Sequence, residues 1–487
     1  MKKRNLLIAA LVVVALLLGI FRIANRLPSA DLPVEERVAS ILDRGGCLSC
    51  HTAEAELPFY GKLPFAEELI RKDIDSGYRA YDITPLYEAL LQGETPRPVD
   101  VAKVEKVALD KRMPMAKYYL VHWGSRMTDA KRDLIAAWAR DYRMAYYNDG
   151  LEGERAGEPV RPIVPIEGVD ARKAELGNAL YHDTRLSVDN TVSCATCHGL
   201  TNAGVDNHQF SDGVEGRLGG VNAPTVFNAV YNFVQFWDGR AATLAEQAAG
   251  PPLNPMEMAS TSFDEIVAKL EQDRAFSKAF REVYPEGLNQ QTITDAIEQF
   301  EMTLTTPNSP FDKWLRGDDE ALTAEELRGY ELFKRYDCAT CHVGPNLGGE
   351  SYELMGLRRH YFADRGMALT EEDNGRYKQT LTERDRHRFK VPGLRNVELT
   401  WPYYHDGTRQ TLEEAVCDMG CYQSGVELTN EEIHAITAFL HTLTGEFQGK
   451  KLVNEGTHQH EHHHHDHDHD HDHDHHHDHD HDHHHDH

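Results

Sequence analysis

The sequence predicts an all-α protein in which one helical unit is used three times. Three observations carry that prediction. The pentapeptide Cys-x-x-Cys-His recurs at Cys47–His51, Cys194–His198 and Cys338–His342, using six of the eight cysteines. Each copy follows a stretch with apolar residues at helical spacing: Val34 to Leu42, Ala171 to Tyr181, and Thr323 to Tyr336. No long alternation of strand type competes with these helices.

At the N-terminus, Lys2, Lys3 and Arg4 precede an apolar run from Leu6 to Phe21, closed by Arg22 and extended by Ile23 and Ala24. This approaches the ~20 residues that a bilayer span requires. The pattern predicts a transmembrane anchor over 1–25 with its basic end in the cytoplasm. A cleaved signal peptide is the rival reading, with Pro28-Ser29-Ala30 as a poor cleavage site.

The first unit is expected over 30–148, with a closing helix from Thr128 to Arg143. Asp149 to Val169, rich in glycine and proline, reads as a linker. The second unit is expected over 160–310, and Thr306 to Asp319, with Pro307 and Pro310, reads as the next link. In the third unit (316–450), Thr323 with Glu326 and Thr429 with Glu432 form capping boxes, and the last helix ends at Gly445. The stretch 451–487 is expected to be a disordered tail. From His458 to His487 it holds nineteen of the thirty histidines and nine aspartates. Such a composition cannot bury a core, and its imidazoles and carboxylates offer ligands to zinc, nickel or copper. The formal charge is −28, and −18 without the ten carboxylates of that stretch. So acidic a chain excludes nucleic acid as a partner.

The pentapeptide is the attachment signature of c-type haem: two thiols bond the porphyrin vinyls and the next histidine ligates iron. Cys47, Cys50, Cys194, Cys197, Cys338 and Cys341 are therefore the expected attachment residues. His51, His198 and His342 are the expected iron ligands, giving three covalent haems of c type. A redox dithiol explains one copy but not three. Haem c is attached outside the cytoplasm, which agrees with an anchored periplasmic body. What stands opposite each histidine then decides the chemistry, because methionine makes an electron carrier and an open side admits peroxide or oxygen. Met113, in Arg112-Met113-Pro114-Met115, is the expected distal ligand of the first site, with Met115 next and His122 a weaker candidate. Met419 is available to the third. Cys417 and Cys421 flank it at i and i+4 without a following histidine, so they are not a fourth attachment site; a bridge between them would lie near the upper limit of Cα separation.

The stretch from Leu176 to Met258 resembles the bacterial di-haem cytochrome c peroxidase family. The resemblance rests on Leu176-Gly-Asn-Ala-Leu-Tyr-His-Asp-Thr-Arg-Leu-Ser187, Ser193 to His198, Asn222-Ala-Pro-Thr-Val-Phe-Asn228, Gln235-Phe-Trp237-Asp-Gly-Arg240, Glu246-Gln247 and Met256-Glu257-Met258. It continues through Phe389-Lys-Val-Pro-Gly-Leu-Arg-Asn396 and Leu399-Thr-Trp-Pro-Tyr-Tyr-His405. The resemblance covers about residues 170 to 445. It implies that His198 is the proximal ligand of the peroxidatic haem, Glu257 the distal acid/base and Gln247 a distal-pocket neighbour. It implies further that Trp237 lies between two haems and that His342 and Met419 hold the electron-transfer haem. Asn222, Thr400 and Pro402 match the ligands of an interdomain calcium. Many members carry a distal histidine on the loop before the Asn-Ala-Pro-Thr motif. Counting back from Asn222 places Val214 there, so a constitutively open iron is expected; His208 is the one histidine on that loop and sits too early.

These readings imply a peroxidase that reduces hydrogen peroxide in the periplasm from the inner membrane. Electrons would enter at the N-terminal haem, pass to the Met419-ligated haem and cross by Trp237. The extra haem unit is similar to the tri-haem quinol peroxidases, which implies a membrane quinol as donor, with a small cytochrome c or cupredoxin as the alternative. A second copy of the chain is a further candidate partner. Two other classes compete: a protein-modifying oxidase, whose di-haem members place a tyrosine where this chain has Met419, and a pure multihaem electron carrier, which has no use for Glu257.

Overall fold

Helices form where apolar residues recur at helical spacing. In the computed structural model, which describes residues 2–62, 66–147 and 149–455, the helices Val34–Arg44, Ala171–Tyr181 and Ala324–Arg335 each lead into one pentapeptide. Their starts are fixed by short polar side chains. Asp170 accepts hydrogen bonds from the backbone N–H groups of Arg172 and Lys173, and Thr323, Thr411 and Thr429 close capping boxes with Glu326, Glu414 and Glu432. Strand among the described residues is confined to two short antiparallel pairs. Tyr352–Leu354 pairs with Arg388–Lys390, and Glu446–Phe447 with Lys450–Lys451. The fold is largely helical, as the periodicity predicts. The tail expected to bind metals, His458 to His487, lies outside the described residues.

Buried apolar side chains gather in three large clusters, and each takes in the first cysteine of one pentapeptide. Val38, Ile41, Leu86 and Trp138 pack near Cys47; Leu180, Ile266, Phe280 and Ile297 near Cys194; Phe311, Tyr330, Phe333 and Phe439 near Cys338. Sequestering apolar side chains from water is the main force holding each cluster together.

The second and third clusters are built on the same helix crossing. Ala171–Tyr181 crosses Gln290–Glu301 where a Cβ on Gly177 would overlap the Ala296 carbonyl oxygen and crowd Phe300. Ala324–Arg335 crosses Asn430–His441 where a Cβ on Gly329 would overlap the Ala435 carbonyl and crowd Phe439. The two crossings use the same residue types in the same order, an internal repeat that spacing alone does not disclose.

Three expectations change. The stretch read as a linker after the first unit is packed rather than loose: Ala156, Val160 and Ile163 are buried, and Arg161 pairs with Asp149 at 2.5 Å. Thr306 to Asp319 likewise contains a helix, Pro310–Leu315, whose Phe311 is central to the third cluster. Glycine and proline mark turns in both stretches, but the apolar residues between them find a core to enter. Residues 451–455, expected to belong to a disordered tail, are ordered against the core. Leu452 is buried against Phe227, and Asn454 Nδ2 donates to the Leu399 carbonyl at 2.8 Å.

Replacing a helical glycine by alanine ordinarily stabilises by about 1 kcal/mol. At Gly329 the overlap with Ala435 reverses the sign, and Gly329→Ala is expected to destabilise the haem-loaded protein by about 1–3 kcal/mol in urea unfolding.

Candidate functional site

The three pentapeptide histidines are oriented by one device. Nδ1 of His51 lies 3.0 Å from the Tyr81 carbonyl, that of His198 3.3 Å from Gly204, and that of His342 2.8 Å from Leu347. A carbonyl only accepts, so Nδ1 carries the proton and Nε2 is left with a lone pair for a metal. Burial also holds His198 and His342 below the usual imidazole range, which keeps them neutral. The cysteines have the opposite character from a redox dithiol. Burial pushes the thiols of Cys47, Cys194 and Cys338 up to about 12 and those of Cys197 and Cys341 to about 11. A redox dithiol needs a lowered value at its nucleophile.

A cavity of about 640 Å³ joins the first and third sites. Cys47, Cys50 and His51 line it together with both Met113 and Met115, and so do Cys338, Cys341, His342 and Met419. Among the two methionines of the first site, the geometry favours neither. His122 is used elsewhere, with Nε2 2.9 Å from the Tyr60 hydroxyl and Nδ1 3.2 Å from the Tyr118 carbonyl. Lys390 also lines this cavity. It is 5% exposed, has no acidic partner among the described residues, and burial lowers its ammonium to about 8. A lone buried ammonium is costly, so an anionic group belongs in the cavity. A haem carrying propionates fits both the apolar walls and this charge. Cys417 and Cys421 remain separate thiols.

The first unit is clamped onto the third. Lys103 and Glu353 form a largely buried pair at 2.5 Å, and Arg112, beside Met113, holds both oxygens of Asp337, beside Cys338. The methionine loop of one unit is thereby pinned to the attachment loop of the other.

At the His198 site, Tyr181 donates its hydroxyl to the His198 carbonyl at 2.6 Å. Glu257 lies near enough to act electrostatically on the thiols of Cys194 and Cys197. Burial raises the Glu257 carboxyl above its usual range, opposed by Arg240 and by a 2.7 Å hydrogen bond from Asn254 Nδ2. The backbone behind Glu257 is fixed by Val214, whose N–H donates to the Glu257 carbonyl at 2.8 Å, and by Gly213, where a Cβ would overlap the Met256 carbonyl. Val214 is fully buried, and His208 is exposed beside Asp212 at 3.8 Å. Gln247 is half-buried on the helix Leu244–Ala248, and among the described residues no hydrogen bond joins its amide to Glu257.

Trp237 lines the same cavity as His342, and its indole N–H donates to the Asn222 carbonyl at 2.9 Å. Asn222, Thr400 and Pro402 line this cavity as well. Asn222 spends its amide nitrogen on the His208 carbonyl at 2.9 Å, so an oxygen is what it offers. An oxygen-only set of this kind fits a hard cation such as calcium.

The sequence reading missed a buried ionic cluster beside Trp237. His405 Nε2 lies 2.8 Å from Asp373, and Arg365 bridges Asp373 and Asp406 at 2.7 and 2.6 Å. Asp373 is held well below the carboxylate range by its hydrogen bonds to His405 and Arg365, against the opposing effect of burial. Its three acidic and imidazole groups lie within 4.8 Å of one another, as metal ligands would. The guanidinium already supplies the positive charge. His405 closed a recognised motif and Asp406 follows it directly, but nothing in the sequence linked them to Asp373. Arg240 and Asn254 were missed for the same reason, although Asn254 lies three residues from Glu257.

Comparison with known proteins agrees with this geometry. Residues 171–320 match the family model "Di-haem cytochrome c peroxidase", and residues 21–141 match "Haem-binding domain". The chain is 50% identical over 413 residues to cytochrome c peroxidase Ccp of Escherichia coli, covering 84% of this chain and 88% of that protein. It is 48% identical over 302 residues to cytochrome c551 peroxidase of Nitrosomonas europaea, covering 61% and 87%. A solved MauG-like protein associated with microbial copper homeostasis superposes with a TM-score of 0.52 at 28% identity, over 59% of this chain and 93% of that one. With its buried carboxyl beside a haem-attachment motif and half of 413 aligned residues identical to a cytochrome c peroxidase across most of both chains, the protein belongs to the di-haem cytochrome c peroxidase family and is a peroxidase.

Proposed function

We propose that the chain is a membrane-anchored, tri-haem peroxidase that reduces hydrogen peroxide to water in the periplasm with electrons from quinol. The observation that carries this reading is the pairing of Glu257, raised by burial, with a loop that offers Val214 in place of a blocking histidine. Bound at Cys194, Cys197 and His198, haem supplies an iron that binds peroxide and accepts electrons singly. Glu257 takes the proton from the oxygen that approaches the site and returns it to the departing oxygen, so that two electrons and two protons yield two waters. Asn254 holds that carboxyl, the Val214 N–H fixes the Glu257 backbone carbonyl behind it, and Gln247 stands on the neighbouring helix. Met419 closes the third site and Met113 the first, Met115 being its alternative. Trp237 offers a π-system between the His198 and His342 sites, braced through Asn222, which with Thr400 and Pro402 is read as the calcium site.

The N-terminal helix Lys2–Ala24 includes 21 apolar-rich residues with none buried. Its retention as an anchor is supported by Asn25, whose side chain donates to the Trp123 carbonyl and accepts from the Arg126 N–H, both at 2.8 Å. Cleavage at Ala30 would remove a residue built into the first unit. Trp123 and Val121 stand exposed at the same place, where an aromatic belt meets a bilayer. The acidic body suits the aqueous side, and 458–487 is read as a divalent-metal-binding terminus.

Three outcomes are expected. Glu257→Gln should lower kcat/KM for peroxide by ~10²–10⁴-fold. A base works only when ionised, so wild-type kcat/KM should fall as pH drops through a value above the ~4.3 of ordinary glutamate, and the variant should lose that limb. The oxidised, loaded protein should show one high-spin and two low-spin haems by electron paramagnetic resonance; three low-spin haems would sink the open-site reading. The detergent-solubilised full chain should reduce peroxide with decylubiquinol faster than with reduced cytochrome c, and the reverse order would assign the donor to the cytochrome.

A further inference from the structure

The aromatic cluster that engages His122 lies between the first attachment loop and the end of the N-terminal helix. Tyr118, on the turn Tyr118–Leu120, stacks on His122 with ring centroids 3.8 Å apart, and Tyr60 meets His122 edge-on with its hydroxyl 2.9 Å from Nε2. Nδ1 faces a carbonyl, so it holds the proton and Nε2 is a base accepting from a phenol. On one side the cluster touches the first attachment loop: Tyr118 lines the cavity with Cys47 and Cys50, and a Cβ on Gly46 would overlap its hydroxyl. On the other side it reaches the end of the N-terminal helix. Gly124 lies against Ala24, Asn25 holds the Trp123 carbonyl, and Val121 and Trp123 are 56% and 48% exposed.

We propose that Tyr60, Tyr118 and His122 form the site at which a membrane quinol is oxidised, His122 Nε2 taking the hydroxyl proton. This rests on the reading of the chain as an anchored acceptor of quinol electrons and adds where and by which groups the donor is handled. A quinol is itself a phenol, so its hydroxyl replaces that of Tyr60 on Nε2, and its ring stacks as Tyr118 does. Its two O–H bonds break, one at a time, and the ring becomes a quinone. Each proton passes through half-buried His122 to water, and each electron to the adjoining Cys47–His51 site. The final oxidant is hydrogen peroxide, whose O–O bond breaks to give two waters with two electrons and two protons. A proton acceptor is required beside the electron exit because neither leaves a neutral quinol readily without the other. The nearness of Val121 and Trp123 to the helix end gives an apolar tail a route from the bilayer.

The test uses the full, haem-loaded chain in detergent with decylubiquinol, and with ascorbate plus a phenylenediamine mediator as the soluble donor. His122→Phe keeps the stacked ring and removes the base; Tyr60→Phe removes the phenol hydroxyl. The ratio of quinol-driven to mediator-driven peroxide turnover is expected to fall by ~100-fold in His122→Phe, the scale of a lost general base. An azidoquinone photolabel, mapped by mass spectrometry, is expected on peptides containing Tyr60 or Tyr118 to Gly124. An unchanged ratio, or a label confined to other parts of the chain, would overturn the proposal. If wild-type protein took no electrons from decylubiquinol at all, the quinol reading itself would fail, a result distinct from a wild type that uses quinol and a variant that matches it.

Discussion

The close crossing of two helices at a glycine sets the geometry of both C-terminal haem-binding loops. One turn beyond Gly177, Tyr181 donates to the His198 carbonyl; one turn beyond Gly329, Phe333 packs against the His342 ring at 6.2 Å. Each crossing therefore transmits backbone position directly to a pentapeptide histidine. The absence of a side chain at Gly177 and Gly329 is what lets the carbonyls of Ala296 and Ala435 come so near. Core packing at this density tolerates little displacement, which gives the histidines fixed orientations before any metal binds.

Charge decides how the first unit relates to the others. The chain is strongly acidic, yet the contacts that clamp this unit are specific pairs, Lys103 with Glu353 and Arg112 with Asp337. Paired burial of Lys103 contrasts with Lys390, which faces the same cavity with no counter-charge among the described residues. The difference separates an ion pair that holds two units together from a cation placed to meet an anionic edge. The packed stretch after Asp149 completes the clamp, so the joined cavity follows from a fixed arrangement rather than a flexible tether.

The candidate catalytic carboxyl shows how environment gives a common residue its role. Glu257 is one of many acidic residues, most of them solvated. Burial raises it, while Asn254 and Arg240 keep it from becoming inert. The same loop that orients its backbone carries Val214, a side chain with no lone pair to offer iron. The proposed acid/base group and the side chain proposed to leave its approach unblocked are thus neighbours in space.

The sequence by itself determined the helical class, the three Cys-x-x-Cys-His loops, the caps at Thr323 and Thr429 and the candidates Glu257 and Trp237. These are local patterns: periodicity, a fixed pentapeptide, a cap and its partner three residues on, or motifs long enough to resemble a family. Only the tertiary structure decided that Met113 and Met115 both face the first site while His122 does not. It alone disclosed that Arg365, Asp373, His405 and Asp406 form one buried cluster, that Gly177 and Gly329 are equivalent, and that the expected linkers are packed. Each of these depends on which distant segments meet, and hydrogen-bond partners far apart in the chain leave no spacing to read. Apolar residues between prolines look like loop until a core is present to receive them.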